Sequence, residues 1–241
     1  MGAITTQAVV LRNADYREND RMLTLLTPGY GRVDALARGC KRPNSPLLPG
    51  SELFAFGEYV LFQGKGRAMV TSCTLTDSFY SLREDYEKLR YAVYLLQVSG
   101  AQAQPAERAA DLFTLLLRSL TRLCYTDLDA RAVTTAFLLL DAALAGYRPR
   151  LSHCVRCGNA VAENEARLFD IEEGGLVCRD CASALLPALP IRAPEILWMR
   201  DVLKVGIEKT TRPALDAPLP LMIKYMETRL ETRFQSGKGL R

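Results

Sequence analysis

Apolar and polar positions along this chain change period twice, and each change marks a different kind of element. From residue 4 to 75 the apolar residues fall in short runs rich in Val, Thr and Leu, broken by Gly and Pro. Ile4 to Leu11 is the first run, Arg21 to Thr27 the second and Val33 to Ala37 the third, with Pro28-Gly29-Tyr30-Gly31 as the turn between the last two. Leu53 to Phe62 and Ala68 to Leu75 follow, flanking Gln63-Gly64-Lys65-Gly66-Arg67, which reads as a hairpin turn. Residues 1–80 are therefore predicted to be all-β, with one long proline-containing connection from Arg38 to Ser51. Five short strands with a long connection after the third suit a small closed barrel of the OB type. An SH3-like barrel satisfies the same count.

From residue 81 the spacing becomes helical. Leu89, Val93 and Leu96, then Leu112, Leu115, Leu116, Leu120 and Leu123, recur at three and four residues. Pro105 is placed in the first turn of the second helix. A third helix spans Ala130 to Ala145, is almost wholly apolar from Ala136 to Leu140, and stops at Gly146 with Pro149 beyond it. Pro187, Pro190 and Pro194 mark a linker, and helices follow at about 195–207 and 219–234. The expected organisation is α+β: a barrel at 1–80 and a helical domain at 81–241. An inserted segment at about 150–185 and C-terminal helices at 195–235 belong to the second part.

The inserted segment carries the chain's strongest chemical signal. Cys154-Val-Arg-Cys157 and Cys178-Arg-Asp-Cys181 place two pairs of thiols on two tight knuckles. Between them Phe169-Asp170-Ile171 reads as a strand, Gly174-Gly175 as its turn and Leu176-Val177 as the return, which is the layout of a zinc ribbon. Four thiolates close a tetrahedral Zn²⁺ site and leave no position for substrate, so the predicted role of one zinc per chain is structural. Oxidised cysteine pairs are the alternative. The cysteine count of seven is odd, and Cys40, Cys73 and Cys124 show no pairing pattern. His153, the single histidine, reads as a bystander beside Cys154. The N-terminal residues lack a basic segment followed by an apolar core, and no run approaches the roughly 18 apolar residues of a membrane helix, so a cytoplasmic protein is expected.

Charge adds a direction without fixing a function. The net charge is +4, carried by the two ends: residues 1–80 are +2 and 186–241 are +4, while the 105 residues between them are slightly acidic. In the β region the basic residues fall in connections: Arg17, Arg21, Arg32, Arg38, Lys41, Arg42, Lys65 and Arg67. Loops on an OB barrel flank its nucleic-acid groove, so these residues are the predicted phosphate contacts. Tyr16, Tyr30, Phe54, Phe56, Tyr59 and Phe62 are available for stacking, most of them at core spacing. No catalytic constellation is visible. Gln63-Gly64-Lys65-Gly66 lacks the Gly-Lys-Ser/Thr spacing of a phosphate-binding loop, and one histidine leaves little room for nucleophilic triads. Glu18 and Asp20 as a nuclease metal pair are weighed against ion pairing with Arg17 and Arg21, which is preferred.

The order of these parts resembles the RecO family of bacterial recombination mediators along the whole chain. Tyr16-Arg17-Glu18-Asn19-Asp20 matches the family's segment after the first strand. Thr27-Pro28-Gly29-Tyr30-Gly31 matches its turn, and Ala37-Arg38-Gly39 leads into its basic loop. Cys154-x-x-Cys157-Gly158, Phe169-Asp170, Gly174-Gly175 and Cys178-x-x-Cys181 match its ribbon. The loop Pro43-Asn44-Ser45-Pro46 is richer in proline than the family pattern. The resemblance implies a DNA-repair protein that is not an enzyme. Such proteins bind single- and double-stranded DNA, anneal complementary strands without ATP and pair with RecR. They help load RecA onto strands coated by single-stranded DNA-binding protein, whose acidic, hydrophobic tail they also bind. Arg118 and Arg122, one helical turn apart, are the expected contacts for that tail. A zinc-ribbon scaffold binding RNA or protein in transcription or translation is the alternative reading.

Overall fold

The computed structural model describes residues 2–63, 66–162, 164–165, 168–183, 187–206, 209 and 213–240. Lys65, expected in the last hairpin, lies outside the described residues. Five strands form the N-terminal part: β1 (Gly2–Arg17), β2 (Asp20–Thr27), β3 (Gly31–Ala37), β4 (Phe56–Gln63) and β5 (Ala68–Asp77). Inward positions alternate along them. Ala8, Val10, Leu23, Leu25, Ala35, Ala37, Tyr59, Leu61 and Val70 form one buried cluster. β1 is long enough to serve two neighbours. Its first half pairs with β4 and its second half with β2, both antiparallel. A short parallel pairing of Ala35 with Ala68 and Leu36 with Met69 joins β3 to β5 and closes the barrel in the order β1-β2-β3-β5-β4.

Two strand limits differ from the sequence reading by more than one or two residues, each for a backbone reason. β1 runs to Arg17 rather than Leu11, because Arg17 pairs with Asp20 across a two-residue Glu18-Asn19 turn. Register shifts between Val10 and Arg12 and between Asp15 and Arg17 break the simple alternation that would have shown it. β4 begins at Phe56 rather than Leu53, because Phe54 sits at φ 69°, a left-handed conformation that interrupts a strand. The connection from Arg38 to Ala55 is a chain of turns, bonded Ser45 to Arg42, Leu48 to Ser45 and Ser51 to Leu48. Cys40 is buried in the barrel core, and Leu47 packs against it.

Pro105 does not open a helix. Residues 104–109 lie along the β2–β3 turn: Arg32 N–H bonds the Gln104 carbonyl, Ala106 N–H that of Tyr30, and Ala109 N–H that of Pro28. Gly31 makes that approach possible. It holds φ 61°, and a Cβ there would collide with the Gln104 and Glu107 carbonyl oxygens.

The helices are α1 (Tyr86–Gln102), α2 (Ala110–Tyr125), α3 (Ala130–Leu144), α4 (Ala193–Val205) and α5 (Leu219–Arg229). Asp85 and Asp129 cap α1 and α3, each side chain accepting the third backbone N–H of its helix at 3.0 Å. α3 is buried through Val133–Leu139 and ends as expected at Gly146, where Tyr147 N–H reaches back to Ala142 and Gly146 N–H to Ala143. Between α3 and α4 lie three short strands, β6 (Leu168–Asp170), β7 (Gly175–Val177) and β8 (Ala188–Pro190), in the order β7-β6-β8. β8 is a correction, since the prolines around it read as a linker. Its Ala188, Leu189 and Pro190 face Asp170, Phe169 and Leu168 on β6.

The chain divides into two compact units. One comprises Met1–Leu89 with Leu95–Cys124, and the other Arg90–Tyr94 with Tyr125–Arg241. The barrel thus shares its unit with α2 and much of α1, whereas the sequence reading separated barrel from helices at residue 80. In the second unit α3 packs against α4 and α5 around Trp198, Met199, Val202, Met222 and Met226, all buried. Among the described residues no helix is long and apolar enough to cross a membrane.

Candidate metal centre and nucleic-acid interface

The four knuckle cysteines meet. The sulfurs of Cys154, Cys157, Cys178 and Cys181 all lie within 4.8 Å of one another. A tetrahedron with Zn–S bonds of about 2.3 Å has S–S edges of about 3.8 Å, and Cys157 Sγ stands 3.8 Å from Cys178 Sγ. The donor set and its spacing therefore fit a metal ion held by four thiolates.

Backbone bonding sets that spacing. The first knuckle is tied to β7: Leu176 N–H bonds the Arg150 carbonyl and Val155 N–H bonds that of Leu176. The second knuckle follows β7 directly, so one strand fixes both. Asp170, fully buried, braces the other side. Its Oδ1 accepts the Glu172 and Glu173 N–H groups at 3.0 Å each, and its Oδ2 accepts the Arg156 guanidinium. The ribbon then sits on α5. Phe169 meets Tyr225 edge-on at 5.5 Å, and Arg229 lies over the Tyr147 and Tyr225 rings while bonding the Ile171 and Glu172 carbonyls.

The thiols are polarised unequally. Burial pushes the Cys154 thiol up, but backbone N–H groups of Cys178, Cys157 and Arg156 directed at its sulfur outweigh that and bring it down to about 6. Cys181 is pushed up to about 12, first by the neighbouring Cys178 sulfur and then by Cys157. One thiolate forms readily and the last resists, as expected where four sulfurs crowd together. A bound dication removes that resistance. His153 pairs across the backbone with Ala160 and is not in the sulfur cluster.

On the barrel, three connections converge. Asp20 Oδ1 accepts the Gly39 N–H at 2.7 Å, the Asn19 carbonyl accepts that of Lys41, and Lys41 Nζ meets Asp15 at 2.8 Å. These bonds dock the start of the basic loop on the β1–β2 hairpin. Arg67, just before β5, places its guanidinium 5.4 Å from the Tyr16 ring, and Arg17 lies 5.6 Å from the same ring. Arg17, Arg38, Arg42 and Arg67 are exposed on these connections.

Arg21, Arg32 and Lys41 make contacts within the fold. Arg21 bonds Glu52 at 2.7 Å and Ser51, tying β2 to the long connection. Arg32 donates to the Gly100 carbonyl at 2.9 Å, and Lys41 is neutralised by Asp15. Asp20 Oδ1 accepts the Gly39 N–H, and Arg21 pairs with Glu52 and Asp15. Of the aromatic residues, Phe54 and Tyr59 are core, Phe56 packs on Phe113, and Tyr16, Tyr30 and Phe62 are exposed. Tyr16 was a stacking candidate in the sequence, but only the fold brings Arg67 to it. Arg118 is exposed and Arg122 half-buried, one turn apart on α2.

Fold and site together define a two-unit protein, with a closed barrel in one unit and, in the other, helices and four cysteines placed to hold a metal ion. Residues 1–79 match the family model described as Recombination protein O N terminal, and residues 83–238 match Recombination protein O C terminal. The chain belongs to the RecO family, whose members act in DNA repair and recombination. It is 36% identical over 178 residues to the DNA repair protein RecO of Alkaliphilus metalliredigens, covering 74% of this chain and 72% of that one. It is 30% identical to the RecO of Acetivibrio thermocellus over 97% of this chain and 94% of the relative. With the RecO of Symbiobacterium thermophilum it shares 29% over 100% and 97% of the two chains.

Proposed function

We propose that the protein is a non-enzymatic recombination mediator that binds single- and double-stranded DNA on the barrel and anneals complementary strands without ATP. With RecR it loads RecA onto strands coated by single-stranded DNA-binding protein. The tail of that coating protein docks near Arg118 and Arg122. The barrel is of the OB type: strands in the order 1-2-3-5-4, and a β1–β2 hairpin and β4–β5 connection of the kind that flanks the OB ligand face. The observation that carries the reading is the docking of the basic loop on the β1–β2 hairpin, with Arg17 and Arg67 at the Tyr16 ring and Arg38 and Arg42 exposed on that loop. The knuckle cysteines hold one Zn²⁺ as a staple for the ribbon, and the metal supplies no reactive position.

Binding through exposed guanidiniums is electrostatic and falls with salt, with a log–log slope of roughly −0.7 per phosphate contact on single strands. Replacing Arg38 and Arg42 by alanine should flatten that slope by about 1.4 and weaken binding alike on unrelated sequences. Lys41, already paired, should change it less when replaced alone. An unchanged slope in the double variant would place the DNA site elsewhere.

A further inference from the structure

Outward positions on a closed barrel normally carry polar side chains, and one row of this barrel does not. Following the strand register, Phe62 on β4 faces Met69 on β5, Met69 faces Leu36 on β3, Leu36 faces Met22 on β2, and Met22 faces Ala14 on β1. Their inward neighbours Leu61, Val70, Ala35 and Leu23 are core, so this row points out of the barrel. Phe62 is 40% and Met69 37% exposed, and Leu36, Met22 and Ala14 are half-buried. The adjacent outward row on β1, β2 and β3 is Arg12, Thr24 and Asp34, which is polar throughout. The apolar row is therefore a local feature and not the character of the face.

Its surroundings select the occupant. Two residues beyond Ala14 is Tyr16, 43% exposed with its ring between two guanidiniums, and two residues before Met69 is Arg67. Arg38, exposed, follows Leu36 by two residues. The exposed acids closest in sequence are Asp15, engaged by Lys41 and Arg21, Glu18, Glu58, and Asp34, which accepts from Thr24 at 2.7 Å. The part of this row from Phe62 to Met22 crosses four strands, about 14 Å at the usual strand spacing, and lies among arginines. It matches a ligand that is anionic along its length and carries flat apolar faces beside the charge.

We infer that Phe62, Met69, Leu36 and Met22 form a base-stacking platform, continued by Tyr16, which gives the barrel a preference for unpaired nucleic acid over duplex. Phosphates lie on Arg17, Arg38 and Arg67, and unstacked bases lie on the row. Duplex DNA offers the same phosphates but keeps its base faces covered, so it gains the electrostatic part alone. Phe supplies a ring, and Met a polarisable thioether that packs on flat rings without demanding one geometry, so the platform is sequence-tolerant. The inference rests on the proposed DNA binding of the barrel.

Three fluorescent probes of equal length separate the terms: a thymidine strand, an abasic strand with the same phosphates, and a duplex. The full-length protein should bind the thymidine strand at least about 10-fold more tightly than the abasic strand. Phe62→Ser with Met69→Ser, both on the solvent side, should reduce that ratio to within about 2-fold while leaving abasic affinity and salt slope as they were. Phe62→Trp should keep or widen it. Absence of a gap in the unaltered protein would overturn the stacking alone, and absence of binding to all three probes would overturn both it and the DNA-binding reading. A serine variant that keeps the gap, as expected if the row serves a protein partner, or that loses all three probes equally, would also overturn it.

Discussion

Asp170 is a carboxylate without exposed surface in a segment that has to hold four thiolates apart at fixed distances. Both of its oxygens are used: one ties the β6–β7 turn, and the other holds Arg156 inside the first knuckle. In the sequence it read as a strand residue, because the partner that gives it meaning is 14 residues away and meets it only once the knuckle has folded. Asp170→Ala leaves two part-buried N–H groups and a guanidinium without their acceptor. The expected cost is on the order of 3 kcal/mol of ribbon stability, with metal affinity lowered about 10–100-fold. Chelator competition on the purified variant measures the second directly. Affinity within 2-fold of the unaltered protein would mean that the cysteines find their geometry unaided.

Element ends show where local chemistry was readable and where it was not. Gly146 announced the end of α3, since glycine takes the left-handed conformation at little cost, and it holds φ 84° there. α5 ends the same way but with Glu231 in that role, at φ 49°, with Thr232 N–H bonded to the Glu227 carbonyl. No residue type marked the stop, so the helix was expected to run on to residue 234. β8 was hidden for a similar reason: prolines disguised a strand whose identity comes from its pairing with β6. Glu231→Gly should relieve the left-handed penalty and stabilise the second unit by about 1 kcal/mol, a rise of a few degrees in its melting temperature. A lower melting temperature would show that the Glu231 side chain contributes more than its backbone costs. Gly174 is the opposite case. It holds φ 73° against Tyr225, and a Cβ there would collide with the tyrosine hydroxyl, which is why the ribbon turn required Gly-Gly.

At the scale of the whole molecule, barrel, helices and four-sulfur site were each legible, because period-two runs, three-and-four spacing and paired Cys-x-x-Cys are local patterns. Which loops converge was not, and neither was the assignment of α2 to the barrel's unit. The two units predict separable behaviour on metal removal. Cys154→Ser or strong chelation should unfold the ribbon and leave the barrel's circular dichroism and DNA binding in place, since the barrel core contains none of the four ligands.

The metal-free ribbon should also be pH-sensitive in a defined sense. Cys181, raised in the folded state from 9.0 to about 12, contributes stability that is complete below pH 9 and lost as pH rises towards 12. Cys154, lowered from 9.0 to about 6, contributes stability that is complete above pH 9 and lost as pH falls through 6. Melts of the chelated protein across that range should peak near pH 9, and a flat profile would contradict the account.

Strand annealing by the arginine-rich connections of the barrel, as proposed, needs no energy source. Mixing two complementary labelled strands with the purified protein, with ATP absent, tests it most directly. Annealing well above the spontaneous rate is expected, reduced about 10-fold or more when Arg17, Arg38, Arg42 and Arg67 are all replaced by alanine, and unaffected by added ATP. Annealing at the spontaneous rate, or annealing that survives loss of all four arginines, would contradict it.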